Sequence, residues 1–178
     1  IGDSSENSVL TTPEPMELHR LLKQMADNKC EYVAMEVSSQ ALSQQRVYGL
    51  KFSASALTNI TVDHLDYHIT MENYINSKLE LLKNSKKAIV NIDDYNVKMV
   101  HDRIECPVVT CSTVDNKADY TAKNVICNES FVQYELVGIN CIGRINVNLP
   151  GEFTVYNSLC ASSALLELGF SIEDISKA

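Results

Sequence analysis

The sequence has no apolar run near the roughly 18 residues that a membrane-spanning helix requires, and no signal-peptide pattern stands at its start. It also has no block rich in lysine and arginine, and its net charge is −8. These absences argue against a membrane-spanning protein, and against nucleic acid or an anionic membrane as the main partner. A small anionic ligand stays compatible with them, because a local site can be positive on an acidic protein.

Cysteine is not scarce, but no two cysteines form a CxxC motif, which disfavours a zinc site built on them. Their spacings are irregular and most lie within apolar runs. We therefore predict reduced, mostly buried thiols in a cytosolic protein. The residues concerned are Cys30, Cys106, Cys111, Cys127, Cys141 and Cys160.

Apolar segments alternate with helical patterns along the 178 residues, of which 45% are hydrophobic. We predict strands at 31–38, 53–60, 87–92 and 107–112 and helices at 13–28, 70–85, 95–104 and 151–169. Strands that are apolar along their whole length and alternate with helices indicate a mostly parallel sheet flanked by helices. The fold class is therefore α/β.

The pattern changes between about 120 and 149, where short segments of alternating polarity are joined by polar or glycine-bearing turns. This favours a small antiparallel β appendage. We predict one partial domain over 1–178, with an α/β core at about 1–119 and 150–178 and the appendage at about 120–149.

Polar side chains follow two of the predicted strands, and the carboxyl ends of parallel strands are where such sheets bind ligands. Glu36 interrupts an apolar strand, so it is either solvated at a rim or paired, for instance with a cation. The stretch TNITVDHLDYH contains His64 and His68, four residues apart. It fits a polar helix entry as well as a metal site. Lys78 and Arg46, taken alone, are typical of a protein surface, although Arg46 can also bind a phosphate or carboxylate.

Four segments occur together in an order and at spacings that resemble the central domain of the Mur ligases. They are TTPEPMELHRLL, AMEVSSQAL, TNITVDHLDYH with TMENYINSK, and NLPGEFTVYNSLCA. The resemblance covers essentially the whole chain and is greatest to the branch that adds the third residue of the peptidoglycan stem peptide. It implies a P-loop-type α/β fold and an ATP-dependent amide ligation through an acyl phosphate. It also implies a cytoplasmic monomer.

By the same resemblance, Glu36, His64 and Lys78 form the catalytic and Mg²⁺-binding group. Lys78 matches a lysine that the family carbamylates, which converts a cation into an anion beside the metal. Carbamylation needs the neutral amine, which a partly desolvated position favours. Magnesium offsets the charge of the ATP phosphates.

The resemblance also assigns binding residues for the two larger substrates. The positions matched to the UDP-muramoyl-dipeptide are Thr11, Thr12, Ser38, Gln44 and Arg46. Asn59 matches a residue that faces the nucleotide phosphates, and Asn157 one that lies near adenine. The third substrate is an amino acid, lysine or diaminopimelate, which a C-terminal domain absent from this chain selects.

This sequence departs from the family pattern most in lacking the phosphate loop GxxGK[TS]. We interpret it as a piece of a longer enzyme and expect the piece alone to be inactive, because the phosphates lose their backbone cradle. Ile1 in place of an initiator Met favours this interpretation. Smaller departures are Gln40, where the family often has His, and Thr154, where it usually has Asn.

Two alternatives stay open from the sequence. Folylpolyglutamate synthetase and cyanophycin synthetase share the same core and also act through an acyl phosphate. A different class of protein, a non-catalytic remnant that binds metal or a partner, fits the missing phosphate loop equally well.

Overall fold

A computed structural model describes residues 5–178, which fall into two compact units. The first, which we call the helical unit, comprises residues 5–50 and 64–81 of those described. The second, the sheet unit, comprises residues 51–63 and 82–178.

The helical unit contains three helices and most of a fourth. They are α1 (Pro15–Asp27), α2 (Ser39–Ser43), α3 (Leu65–His68) and α4 (Met71–Lys83), of which α4 ends in the sheet unit. Pro15 opens α1, where its missing N–H has no cost. The Thr70 hydroxyl accepts a hydrogen bond from the Asn73 N–H at 3.2 Å, as an N-cap of α4 does. The buried apolar side chains of this unit are Leu18, Ala41, Leu42, Val47, Tyr74, Ile75 and Leu79.

The predicted strand at 31–38 is wrong, because this segment has no regular secondary structure. Among residues 5–178 no strand pairs with it, and an apolar run forms a strand only when neighbours complete its backbone hydrogen bonds. Thr12 takes over part of that role. Its hydroxyl donates to the Glu36 carbonyl at 2.9 Å and accepts from the Ser38 N–H at 3.0 Å.

The sheet unit is built on six strands whose spatial order is their order in the chain. They are β1 (Ser55–Leu57), β2 (Ala88–Asn91), β3 (Val108–Ser112), β4 (Tyr120–Cys127), β5 (Val132–Gly138) and β6 (Cys141–Val147). The pairings from β1 to β4 are parallel and those from β4 to β6 antiparallel. The α/β, mostly parallel fold class with an antiparallel addition is therefore confirmed.

The antiparallel strands extend the same sheet, since β4 pairs with β3 through Cys111 and Tyr120 and with β5 through Tyr120 and Gly138. The division of the chain into a core and an appendage stays a prediction. Registers such as Tyr134 opposite Ile145 place alternate side chains of β5 and β6 on the buried face.

The helices of the sheet unit are α5 (Tyr95–Val100), a 3₁₀ turn (His101–Arg103), α6 (Glu152–Glu167) and α7 (Ile172–Lys177). Asp94 caps α5 by accepting from the Val97 N–H at 2.9 Å. Gly169, with φ +94°, follows the end of α6 in a conformation that suits glycine. Helix α6 packs across β1 to β5. The resulting core consists of Ile89, Val109, Cys111, Tyr120, Ala122, Val132, Tyr134, Leu136, Ile145, Val155, Leu159 and Cys160.

All six cysteines are free thiols, as predicted. The expectation that most are buried is wrong, since only Cys111 and Cys160 are buried while Cys127 is exposed. Within residues 5–178, no helix combines the length and the apolar character needed to cross a membrane.

Candidate functional site

Two of the three predicted metal-site residues meet at Tyr74, a side chain that is 3% exposed. The Lys78 Nζ lies 5.0 Å from the centre of the Tyr74 ring, one helical turn along α4. The His64 ring centre lies 6.4 Å from the same ring, at an interplanar angle of 73°. Glu36 is exposed, and its backbone carbonyl is fixed by Thr12. Both His64 and Lys78 therefore lie beside the ring of Tyr74.

The donor chemistry of this trio sets a condition for binding Mg²⁺, which prefers oxygen ligands. Glu36 supplies a carboxylate and His64 an imidazole, but an ammonium at Lys78 has no lone pair to donate. Across residues 5–178, no group of three or more His, Cys, Asp or Glu side chains is arranged to hold a metal ion. A carbamate on Lys78 would add oxygen ligands of the kind that Mg²⁺ prefers.

Helix α3 lies between two residues with left-handed backbone, His64 at φ 54° and Ile69 at φ 68°. Such a conformation costs of the order of 1–3 kcal/mol for a non-glycine residue, and a β-branched isoleucine adopts it rarely. Strain of this kind persists only where surrounding contacts hold the segment in place. One predicted metal ligand, His64, is itself one of the strained residues.

Four of the five predicted dipeptide-binding residues form one hydrogen-bonded cluster. Arg46 donates from Nη1 to the Thr12 carbonyl at 2.9 Å and from Nε to the Gln44 Oε1 at 2.8 Å. Thr12 in turn bonds the Ser38 N–H, as described above. Thr11 is exposed.

The Arg46 side chain is only 12% exposed, and its Nε lies 3.2 Å from the Glu14 carboxylate. Glu14 is 61% exposed, so it can move aside for a competing anion at little cost. A guanidinium held by neutral partners, with one mobile carboxylate beside it, suits the binding of a substrate carboxylate or phosphate.

The two predicted nucleotide-binding residues, Asn59 and Asn157, line the same cavity of about 280 Å³ in the sheet unit. Asn59 follows β1 and Asn157 lies on α6. Both are exposed side chains that can donate and accept hydrogen bonds. The full lining is Thr58, Asn59, Asn91, Asp93, Asp94, Phe153, Tyr156 and Asn157.

Phe153 is a member of this cavity that the sequence analysis did not identify. It lies in the first turn of α6 and is 66% exposed. Its ring lies against Gly151, which has φ +99°, and a Cβ on Gly151 would approach the ring to 2.6 Å. Glycine therefore leaves room for an exposed aromatic face on the cavity wall. The only signal in the sequence was an aromatic residue at the start of the predicted helix, directly before Thr154 and Val155, which the structure shows to be buried.

Asp93 was also missed, although the sequence NIDD follows β2 at the edge where ligands were expected. Its carboxylate accepts from the Ser112 hydroxyl and from the N–H and Oγ1 of Thr113, the latter two at 2.6 and 2.9 Å. Asn91 donates to the Thr58 carbonyl at 3.0 Å. These groups shape the cavity by tying its loops together.

Thr154, which stands where the family usually has Asn, is buried and donates from Oγ1 to the Pro150 carbonyl at 2.9 Å. Its hydroxyl therefore serves the start of α6.

The sequence profile of the Mur ligase middle domain matches residues 1–165. The chain belongs to the Mur ligase family. The family predicted from the four motifs is thus confirmed, and the chain is a partial central domain.

Two named relatives are UDP-N-acetylmuramoyl-L-alanyl-D-glutamate--2,6-diaminopimelate ligases of clostridia. That of Clostridium acetobutylicum, designated ligase 1, is 39% identical over 98% of this Mur ligase chain, and that of Clostridium botulinum is 38% identical over all of it. The chain spans only 36% and 37% of the length of these relatives.

A solved structure of an enzyme with the same name superimposes with a TM-score of 0.84 at 26% identity. The match covers 94% of this Mur ligase chain and 36% of the solved chain. It supports the sheet topology described above.

Proposed function

We propose that the intact protein containing this chain is an ATP-dependent ligase that joins diaminopimelate to UDP-N-acetylmuramoyl-L-alanyl-D-glutamate in peptidoglycan synthesis. The similarity to enzymes of that name supports the substrates. The observation that supports the site most directly is the cluster of Thr12, Ser38, Gln44 and Arg46. The protein acts in the cytoplasm as a monomer.

In this proposal the helical unit binds the muramoyl-dipeptide. Arg46 pairs with an anionic group of the dipeptide, and Glu14 moves aside to allow it. Gln44 fixes the guanidinium plane through its 2.8 Å bond to Nε. The terminal carboxylate is phosphorylated by ATP, and the incoming amine displaces phosphate through a tetrahedral intermediate.

The sheet unit binds the nucleotide in the cavity between β1 and α6. Asn59 faces the phosphates and Asn157 contacts the donor and acceptor edge of adenine. Phe153 offers a face on which the base stacks. Since this chain has no GxxGK[TS] motif, we propose that the chain by itself is inactive.

Glu36, His64 and carbamylated Lys78 would hold Mg²⁺ in the intact enzyme. The ion, when bound, offsets negative charge on the phosphates. The position of His64 and Lys78 beside the Tyr74 ring supports this assignment.

The test is a coupled phosphate-release assay on the intact protein with ATP, magnesium and UDP-muramoyl-alanyl-glutamate. We expect release that requires diaminopimelate and is absent with lysine. Release with lysine instead would show that lysine is the amino acid added, and the proposed ligase activity would still hold. No release with either, from a folded protein, would favour a folylpolyglutamate- or cyanophycin-type ligase or a non-catalytic remnant. Phosphate release with folate and glutamate would indicate the folylpolyglutamate type, and release with aspartate and arginine the cyanophycin type. No release with either pair would favour the non-catalytic remnant.

A further inference from the structure

His68, the second histidine of the DHLDYH stretch, has no role in the proposed reaction, yet it is buried in the helical unit with 4% exposure. Its Nε2 lies 2.9 Å from the hydroxyl of Ser39, which is also 4% exposed. A buried imidazole and a buried hydroxyl each lose water on folding, so their mutual hydrogen bond compensates both. The bond connects α3 to α2, 29 positions apart in sequence.

The neighbours of His68 hold its ring in one orientation. The Tyr67 ring packs edge-on at 4.9 Å between centres, and the Tyr74 ring lies at 5.4 Å. Asn73 donates to the His68 carbonyl at 3.0 Å. Burial lowers the pKa of His68, the neighbouring His64 adds to that effect, and Asp66 opposes it. A lowered pKa favours the neutral ring, whose Nε2 donates to the Ser39 hydroxyl in one tautomer and accepts from it in the other.

The Ser39–His68 bond belongs to a closed network that includes the dipeptide-binding cluster and is formed by hydrogen bonds and by residues adjacent in the chain. Beside Ser39, the Ser38 N–H donates to Thr12, and Thr12 accepts from Arg46. Arg46 donates to Gln44. The network returns to α3 because Gln44 Nε2 donates to the Tyr67 hydroxyl at 3.2 Å, and Tyr67 precedes His68.

Helix α3 needs such support, because it has only four residues and a left-handed residue on either side. Backbone strain of this kind relaxes when the contacts around it are removed. The first of the strained residues is His64 and the second, Ile69, follows His68 directly. Loss of the His68 bond would free α3, and with it the Tyr67 hydroxyl that orients Gln44.

We propose that His68 is a positioning residue, which through Ser39 locks α3 to α2 and thereby orients Gln44 and Arg46 for the anionic group of the muramoyl-dipeptide. This inference rests on the proposed function of the same cluster. It assigns His68 no contact with substrate.

The experiment measures binding of UDP-N-acetylmuramoyl-L-alanyl-D-glutamate to the intact ligase by calorimetry without ATP, followed by KM values for both substrates. We expect His68→Leu and Ser39→Ala each to weaken dipeptide binding by about tenfold, the loss of about one hydrogen bond to a fixed group. The KM for ATP should stay within about twofold, since the nucleotide cavity belongs to the sheet unit.

Two substitutions separate positioning from packing. The amide of His68→Gln reaches the place of Nε2 and should restore binding, whereas His68→Asn is too short and should behave like His68→Leu. The double variant Ser39→Ala/His68→Leu should bind no worse than the weaker single variant, because both remove the same bond. His19→Leu, at an exposed histidine of α1, is the matched control and should bind like the wild type.

Equal losses for the dipeptide and ATP, or independent effects of Ser39→Ala and His68→Leu, would show a general structural role and overturn the inference. Wild-type-like binding by His68→Leu would overturn it as well. A wild-type ligase that does not bind the dipeptide would refute the proposed function and this inference together. If the wild-type ligase binds the dipeptide but the variants do not behave as expected, only this inference fails. The wild-type measurement therefore distinguishes the two failures.

Discussion

The two units of the chain hold their side chains in place by different means. In the sheet unit, ladders between six strands and a continuous buried cluster under α6 fix the backbone. In the helical unit the segment with Glu36 has no ladder, and side-chain hydrogen bonds from residues such as Thr12 and Arg46 take its place. Each such bond contributes only modestly to stability. Substitutions in the helical unit should therefore affect activity more than stability, and those in the sheet unit core the reverse.

The largest expected effect in this comparison is that of Lys78→Ala in the intact enzyme. Loss of the proposed carbamate should reduce ligation by about 100-fold or more. Folding should change little, because Lys78 is only partly buried and substitutions at such positions usually have small effects on stability. The measurements are turnover by phosphate release and melting by calorimetry.

Lys83→Ala is the control, since it removes an exposed lysine from the same helix. Rescue of Lys78→Ala by added short carboxylic acids would support the carbamate. Near-normal turnover of Lys78→Ala would show that Lys78 has no part in the proposed metal site.

A smaller effect is expected from Phe153→Ala in the sheet unit. Loss of a stacking face costs about 1–3 kcal/mol per base, so the KM for ATP should rise by about tenfold while the affinity for the dipeptide is unchanged. Phe153→Tyr keeps the ring and should stay close to wild type. Tyr95→Ala, which removes another exposed aromatic residue of the sheet unit, should leave the KM for ATP unaltered. An equal rise for both alanine variants would show that Phe153 has no special place in the nucleotide cavity.

The smallest effect is expected from Glu167→Gln, which tests the sheet unit for stability. Burial alone would raise the pKa of Glu167, but hydrogen bonds from Lys87 and Tyr120 outweigh it and hold that pKa below its ordinary value. Because the folded pKa lies below the unfolded value of about 4.3, the stabilisation is complete above that pH. It is lost as the pH falls through the folded pKa.

At pH 7 the variant should be less stable by about 1 kcal/mol, a value kept small because Lys87 is one-third exposed. Calorimetric melting of the intact enzyme at pH 7 and below pH 4 measures the difference. A gap between wild type and Glu167→Gln that persists unchanged in acid would contradict the role of the charge.

Sequence patterns predicted the sheet unit well because the polarity pattern of its strands reflects their burial directly. The run AIVN of β2 is fully buried, and the alternation in β5 reports its two faces. The same reasoning failed at 31–38, because an apolar run does not reveal whether a neighbouring strand is there to complete it. Helix α2 was missed since five residues with a serine cap give no periodicity.

The site was predictable only as far as motif resemblance extends, and its ten assigned residues stay predictions. Spacing could not reveal that His64 and Lys78 both lie beside the Tyr74 ring, since this depends on how α3 leads into α4. Nor could it show that Thr12 is buried while Thr11, its neighbour, is exposed. Both depend on tertiary packing.

The strand order of the sheet has a consequence for how the protein is made. Each strand from β2 onward pairs with the one synthesised just before it, so the sheet can grow stepwise as the chain leaves the ribosome. Helix α6, which covers the apolar face of β1 to β5, is translated only after β6. Until then the nascent sheet exposes that face to solvent and to chaperones, and the interval ends only when residues 152–167 have emerged.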